Sequence, residues 1–204
     1  MWNRFRYTVW APFYDTLVAA VGFDDLRRRS IGYLGLQAGD RVLIVGAGTG
    51  LDLPHLPPGT AITAIDVTPA MLTRLTRRAD RLRLTVSTHV VDARRLPFED
   101  ARFDAVVMHL ILAVMPDPDR GLSEAIRVLR PGGRIAVFDK FLGDEQSISL
   151  RRRLLNLVVK PLFTDMNRRF GPLVRSTALE IERDEPVAFG GMYRLITLRK
   201  SVGH

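Results

Sequence analysis

The chain has no cysteine among its 204 residues. Disulfides, zinc–thiolate sites and cysteine nucleophiles are therefore excluded. It has no apolar run approaching the ~20 residues of a membrane-crossing helix. Its apolar stretches, such as Val42 to Val45 and Ala105 to Met108, are as short as buried strands. Met1 to Trp10 alternates charged and aromatic residues and lacks the uninterrupted apolar core of a signal peptide. These absences predict a cytoplasmic protein. Internal repeats and low-complexity segments are missing, and so are helix-turn-helix, zinc-finger and RNP-type signatures, so no nucleic-acid partner is expected. What the chain has in excess is positive charge, almost all of it arginine: 30 Lys+Arg stand against 22 Asp+Glu, for a net +8. Either a compositional bias of the host or an acidic partner, such as anionic lipid headgroups, accounts for that balance. The length fits one domain with a substantial core. The expected division is an N-terminal helical cap over residues 1–38 and a core over 39–204.

Strands and helices are expected to alternate from residue 41 onward. Strand one is Arg41 to Val45, strand two Ala61 to Ile65, strand three about Leu84 to Val91, strand four Phe103 to Met108 and strand five Arg134 to Phe138. A helix follows strand two, with Thr68 as N-cap, Pro69 in the first position and Met71, Leu72 and Leu75 on one face. A second runs from about Asp119 to Leu129 and is expected to stop at Arg130-Pro131-Gly132-Gly133. A basic, apolar helix is expected over Ile148 to Val159. The last two strands, near Leu179 to Val187 and Met192 to Arg199, flank Gly190-Gly191, a pair suited to a hairpin turn. The alternation implies an α/β protein: a parallel sheet with helices on both faces, closed by one antiparallel strand. Ligands of such sheets bind at the carboxyl ends of the strands.

Strand one runs directly into Gly46-Ala47-Gly48-Thr49-Gly50. Glycine admits unusual dihedrals and close approach of a ligand. The spacing is G-x-G-x-G, one residue tighter than the dinucleotide fingerprint G-x-G-x-x-G, and Pro54 and Pro57 keep the next helix short. A turn that merely packs would also use these glycines. Asp66 lies 20 residues beyond Gly46, at the end of strand two, where a carboxylate can accept both hydroxyls of a ribose. Asp92 closes strand three before Ala93, where a carboxylate beside a backbone amide can read the edge of an adenine. Each acid alone could simply begin a turn. Three successive strand ends carrying suitable groups in order point to a nucleoside-containing cofactor.

With those residues in view, the chain resembles the class I S-adenosylmethionine-dependent methyltransferases. The resemblance rests on Val42 to Leu53, Ala64 to Leu72, Asp92 to Asp100 with Phe103-Asp104, Leu110-Ile111-Leu112 through Met115-Pro116-Asp117, and Arg127 to Arg134. It implies a Rossmann-like seven-stranded sheet of order 3-2-1-4-5-7-6, with strand seven antiparallel. It implies S-adenosylmethionine as cofactor and no metal. The glycine turn, with Ala47 and Thr49, would pass the methionine part; Asp66 would hold the ribose; Val67 and Met71 would flank the adenine, with Asp92 and Ala93 at its edge. Among such enzymes the chain is most similar to bacterial phosphatidylethanolamine N-methyltransferases, through Leu51-Asp52-Leu53-Pro54, Leu112 to Asp117, and Glu185-Pro186 with Gly190 to Arg194. Quinone-biosynthesis methyltransferases share most of these features.

The expected acceptor is accordingly lipophilic, an amine or a quinone ring, with a small soluble metabolite as the alternative. His109, ending strand four, is placed to touch the cofactor carboxylate or the acceptor, although a satisfied strand-end histidine is an equal reading; no partner for it is legible nearby, and an indispensable base is not expected. Tyr14, followed by Asp15, resembles the tyrosine–aspartate that covers the cofactor in quinone and phospholipid methyltransferases. Trp2, Arg4, Phe5, Arg6, Tyr7, Trp10 and Phe13 mix aromatic and cationic character, as interfacial segments do, and Arg151, Arg152, Arg153, Arg168 and Arg169 add charge. They carry the expectation of peripheral contact with an anionic membrane at its inner face. A solvated surface with its apolar side on the core is the competing expectation. No oligomeric state is assigned.

Overall fold

The computed structural model describes residues 23–141, 170–175 and 177–202. Tyr14, the aromatic and basic N-terminal residues, and the helix expected over Ile148 to Val159 with its arginines lie outside the described residues. The described chain opens with helix α1 (Phe23–Gly32), followed by strands β1 (Arg41–Val45), β2 (Ala61–Asp66), β3 (Val86–Val90), β4 (Phe103–His109), β5 (Leu129–Lys140), β6 (Leu179–Ala188) and β7 (Tyr193–Lys200). Helix α2 (Pro69–Leu82) joins β2 to β3, α3 (Pro118–Val128) joins β4 to β5, and a one-turn α4 (Gly171–Val174) precedes β6. The seven strands order as β3-β2-β1-β4-β5-β7-β6. The first five are parallel neighbours, and β7 runs antiparallel to both β5 and β6.

Alternation along each central strand feeds both faces of the sheet. Leu43, Val106, Val137 and Ile196 pack with Leu122, Ala125 and Val128 of α3 on one side. Val42, Ile44, Val107 and Ala136 pack with Leu72, Leu75 and Ala79 of α2, and with Ile31 of α1, on the other. A third cluster of Phe23, Phe138, Tyr193 and Leu195 lies between α1 and the β5–β7 pair.

Several boundaries differ from the expectation for identifiable reasons. Strand three begins at Val86, because Arg83 (φ 56°) and Leu84 finish α2: the Arg83 and Leu84 amides donate to the Asp80 and Ala79 carbonyls at 3.1 and 2.9 Å. Helix α3 ends at Val128, so Leu129 belongs to β5. Pro131-Gly132-Gly133 does not separate the two elements. Sheet pairing continues across it through a bulge between Phe103↔Leu129 and Ala105↔Arg134. A Cβ on Gly133 would lie 2.8 Å from the Asp104 carbonyl oxygen, so the bulge requires that glycine. The hairpin turn spans Phe189 to Met192, with Phe189, Gly190 and Gly191 all at positive φ.

Candidate cofactor and methyl-transfer site

A cleft of about 800 Å³, counted out to open solvent, lies across the carboxyl ends of β1, β2 and β4. That is the position the topology assigns to a ligand. The glycine turn forms one wall. Gly46 (φ +67°) has no space for a Cβ, which would sit 2.7 Å from the Ile111 side chain. Gly50 (φ +80°) faces away from the cleft, and its Cβ would fall 2.9 Å from Leu75 Cγ of α2. Gly48 (φ +53°) has open space around it but needs its left-handed backbone. Ala47 and Thr49 line the cleft between them; Gly48 and Gly50 do not. Gly50 is thus the packing glycine, and Gly46 and Gly48 shape the turn.

Asp66 ties that wall to the next strand. Its Oδ2 accepts the Gly48 amide at 3.0 Å and its Oδ1 accepts the Thr68 amide at 2.8 Å. Burial pushes its carboxyl pKa above the usual value, opposed by these bonds. The Val67 amide and the Thr68 side chain also bond to this carboxylate, which fixes it at the middle of the cleft. Val67 and Met71, beside it, line the cleft with Val91 and Ala93 as an apolar slot. Asp92 is exposed and does not line the cleft: its carboxylate holds Arg94 at 2.7 Å, which keeps its pKa below the ordinary range.

The opposite end carries the feature that sequence reasoning missed. His109 lines the cleft, yet both ring nitrogens are engaged: Nδ1 lies 2.7 Å from Asp52 Oδ1 and Nε2 lies 3.0 Å from Ser30 Oγ. Arg27 donates from a guanidinium nitrogen to the same Asp52 oxygen at 2.7 Å. Arg27 and Asp52 also line the cleft, and their side chains are only 6% and 5% exposed. Burial alone would raise the Asp52 pKa, but the Arg27 charge and the His109 ring outweigh it and hold it well below the carboxylate range. The expectation that His109 has no partner is thereby corrected. One signal was available. In α1 the buried positions are Phe23, Arg27, Ser30 and Ile31, so an arginine and a serine occupy the face that otherwise enters the core.

The floor is the turn after β4. Leu110 (φ +57°), Ile111 and Val114 line the cleft. Asp139 of β5, 1% exposed, accepts the Ala113 amide at 3.0 Å and the Lys140 amide at 2.8 Å, fixing that turn from beneath. Burial pushes the Asp139 pKa up to about 6 against those bonds. The cleft therefore has an ion pair at one end, a carboxylate in the middle and an apolar slot at the other. That order fits S-adenosylmethionine, with its amino acid, ribose and adenine. Among the described residues no cluster of His, Cys, Asp or Glu could hold a metal ion.

Comparisons with known proteins identify the family and the fold. The methyltransferase domain family matches residues 43–137. The phosphatidylethanolamine N-methyltransferase of Cereibacter sphaeroides is 30% identical over 196 residues, covering 95% of each chain. A demethylmenaquinone methyltransferase of Thermus thermophilus is 37% identical over 135 residues, covering 63% of this chain and 61% of its own. Among solved structures, the cyclase SpnF superposes with a TM-score of 0.82 at 21% identity, covering 98% of this chain and 96% of that one. That likeness concerns the fold, since one fold hosts many reactions.

Proposed function

This chain belongs to the class I S-adenosylmethionine-dependent methyltransferases, and from that premise we propose that its acceptor is the amine of a phosphatidylethanolamine headgroup, met at a membrane surface. One observation carries the reading: similarity to the C. sphaeroides phosphatidylethanolamine N-methyltransferase runs over 95% of both chains, far beyond the cofactor-binding half. The cofactor supplies a methyl group on a sulfonium, already activated for transfer. The chain's share is to bind, align and exclude water. Asp66 accepts the ribose hydroxyls, Val67 and Met71 sandwich the adenine, and Ala93 meets its edge. The sequence-based role of Asp92 there is given up, because its carboxylate is turned out of the cleft onto Arg94. Arg27 and Asp52, a buried pair of opposite charges, receive the carboxylate and ammonium of the amino-acid end. The Gly46–Gly50 turn lets the thioether pass close to the backbone.

His109 holds Asp52 in place and is not the base, because Asp52 and Ser30 occupy both ring nitrogens. Tyr14, outside the described residues, keeps the catalytic role that the family resemblance implies. The acceptor amine must arrive neutral, so its proton leaves to solvent before attack. No helix among the described residues is long and apolar enough to cross a membrane. The basic, aromatic residues between Met1 and Phe13 are assigned the surface contact.

The deciding experiment is incubation with methyl-labelled cofactor and a total lipid extract. Label in N-methylated phosphatidylethanolamine is the expected outcome. Label confined to a quinone would put ring C-methylation in its place. Label only in a small soluble acceptor would remove both lipid readings.

A further inference from the structure

We infer that Lys140, seated on the ring of Tyr193, is the subsite for an acceptor phosphate and so selects phosphate-bearing amines; the inference rests on the phospholipid reading above. Lys140 is the last residue of β5, paired across the sheet with Tyr193, the first residue of β7. Its Nζ lies 5.7 Å from the Tyr193 ring centroid. The ammonium is partly buried, and burial lowers its pKa against the opposing charge of Asp139. Among the described residues Lys140 forms no ion pair: the Asp139 carboxylate is directed at the Ala113 and Lys140 amides. A partly desolvated cation with no carboxylate at ion-pair distance among the described residues is stabilised when an anion joins it.

Its position relative to the cleft gives that anion an address. Phe138 precedes Lys140 by two residues on the same face of β5, and its ring stands 5.8 Å from that of His109, which lines the cleft. Leu110, also in the lining, packs against the same aromatic cluster. Two residues of strand advance the chain by about 6.8 Å, so Lys140 stands one step outward from the cleft wall, at the carboxyl end of the sheet. In an ethanolamine phosphate, two methylenes and an ester oxygen separate the reacting nitrogen from phosphorus. An amine at the cleft mouth therefore brings its phosphate to this rim. Lysine binds phosphate as a compact point charge and needs no fork geometry.

The test compares wild type, Lys140→Met and Lys140→Arg on dihexanoylphosphatidylethanolamine, with S-adenosylhomocysteine affinity reporting an intact fold. The expected result for Lys140→Met is a KM raised on the order of tenfold or more, with cofactor affinity kept and with Lys140→Arg restoring most of the loss. Unchanged KM in Lys140→Met overturns the inference and leaves the phospholipid reading standing. If wild type does not methylate this lipid, the phospholipid reading fails. Lys140 is then judged by calorimetric titration of dihexanoylphosphatidic acid into S-adenosylhomocysteine-saturated protein. Binding lost in Lys140→Met supports a phosphate subsite; binding that is absent or indifferent to the substitution overturns it. Inorganic phosphate in a parallel titration separates a lipid headgroup site from one for free phosphate: equal Lys140-dependent affinity for both overturns selection of the lipid.

Discussion

Replacing Asp52 with Asn keeps the size of the side chain and an acceptor oxygen but removes the charge on which Arg27 and His109 converge. Both contacts are 2.7 Å long and end on the same oxygen. Arg27 and Asp52 are 6% and 5% exposed, and the His109 side chain is 0% exposed. Solvent therefore does not screen what is lost. Removing one partner of such a buried pair costs about 3–5 kcal/mol, because the other charge stays buried without compensation. For a chain of this size each kcal/mol lowers Tm by about 2–4 °C, so Asp52→Asn should melt roughly 6–20 °C below wild type. The assay is thermal unfolding at neutral pH, repeated by urea titration. Arg27→Met combined with Asp52→Leu should recover most of that stability, since an apolar replacement removes both charges together. It should not recover affinity for S-adenosylhomocysteine, since the ion pair that meets the amino-acid end is gone. A loss below about 1 kcal/mol for Asp52→Asn, the size of an exposed ion pair, would refute the reasoning. The sign of the pH dependence follows from the depressed pKa of Asp52. Its contribution is present above the ordinary carboxylate range and fades as pH falls below it.

Asp66→Ala should weaken S-adenosylhomocysteine binding on the order of tenfold or more by calorimetry, as a charge-assisted pair of bonds to the ribose disappears. Asp139 has the opposite linkage to Asp52. With a folded pKa of about 6, it is protonated more readily in the fold than in the unfolded chain. Wild-type stability relative to Asp139→Asn should therefore fall by roughly 3 kcal/mol as pH rises from about 4 to 6 and stay level above 7, read by urea titration; a flat difference would contradict the buried-carboxyl reading. Gly50→Ala should destabilise more than Gly48→Ala. Both pay about 1–3 kcal/mol for a left-handed non-glycine backbone, but only at Gly50 would the new methyl meet Leu75, 2.9 Å away; equal melting points for the two variants would contradict this.

Local physics made much of the fold legible in advance. An apolar run bounded by charge and glycine marks β1 at Arg41–Val45, and Thr68 before Pro69 marks the start of α2, because each signal lies within a few residues of the boundary it sets. The place of Asp66 at the end of β2 was legible for the same reason, whereas its bond to the Gly48 amide, across 18 positions, was not. Strand order came from family resemblance, since periodicity identifies strands but not their neighbours. What tertiary structure alone decided are the groups whose partners are remote in sequence. Arg27 meets Asp52 across 25 positions, Asp52 meets His109 across 57, and Ser30 meets His109 across 79. No local pattern encodes such a cluster; docking α1 over the carboxyl ends of β1 and β4 creates it. The same holds for Asp139, an unremarkable acid in sequence. Its role in fixing the Ala113 turn, and its raised pKa, exist because β5 lies beside β4 and buries it.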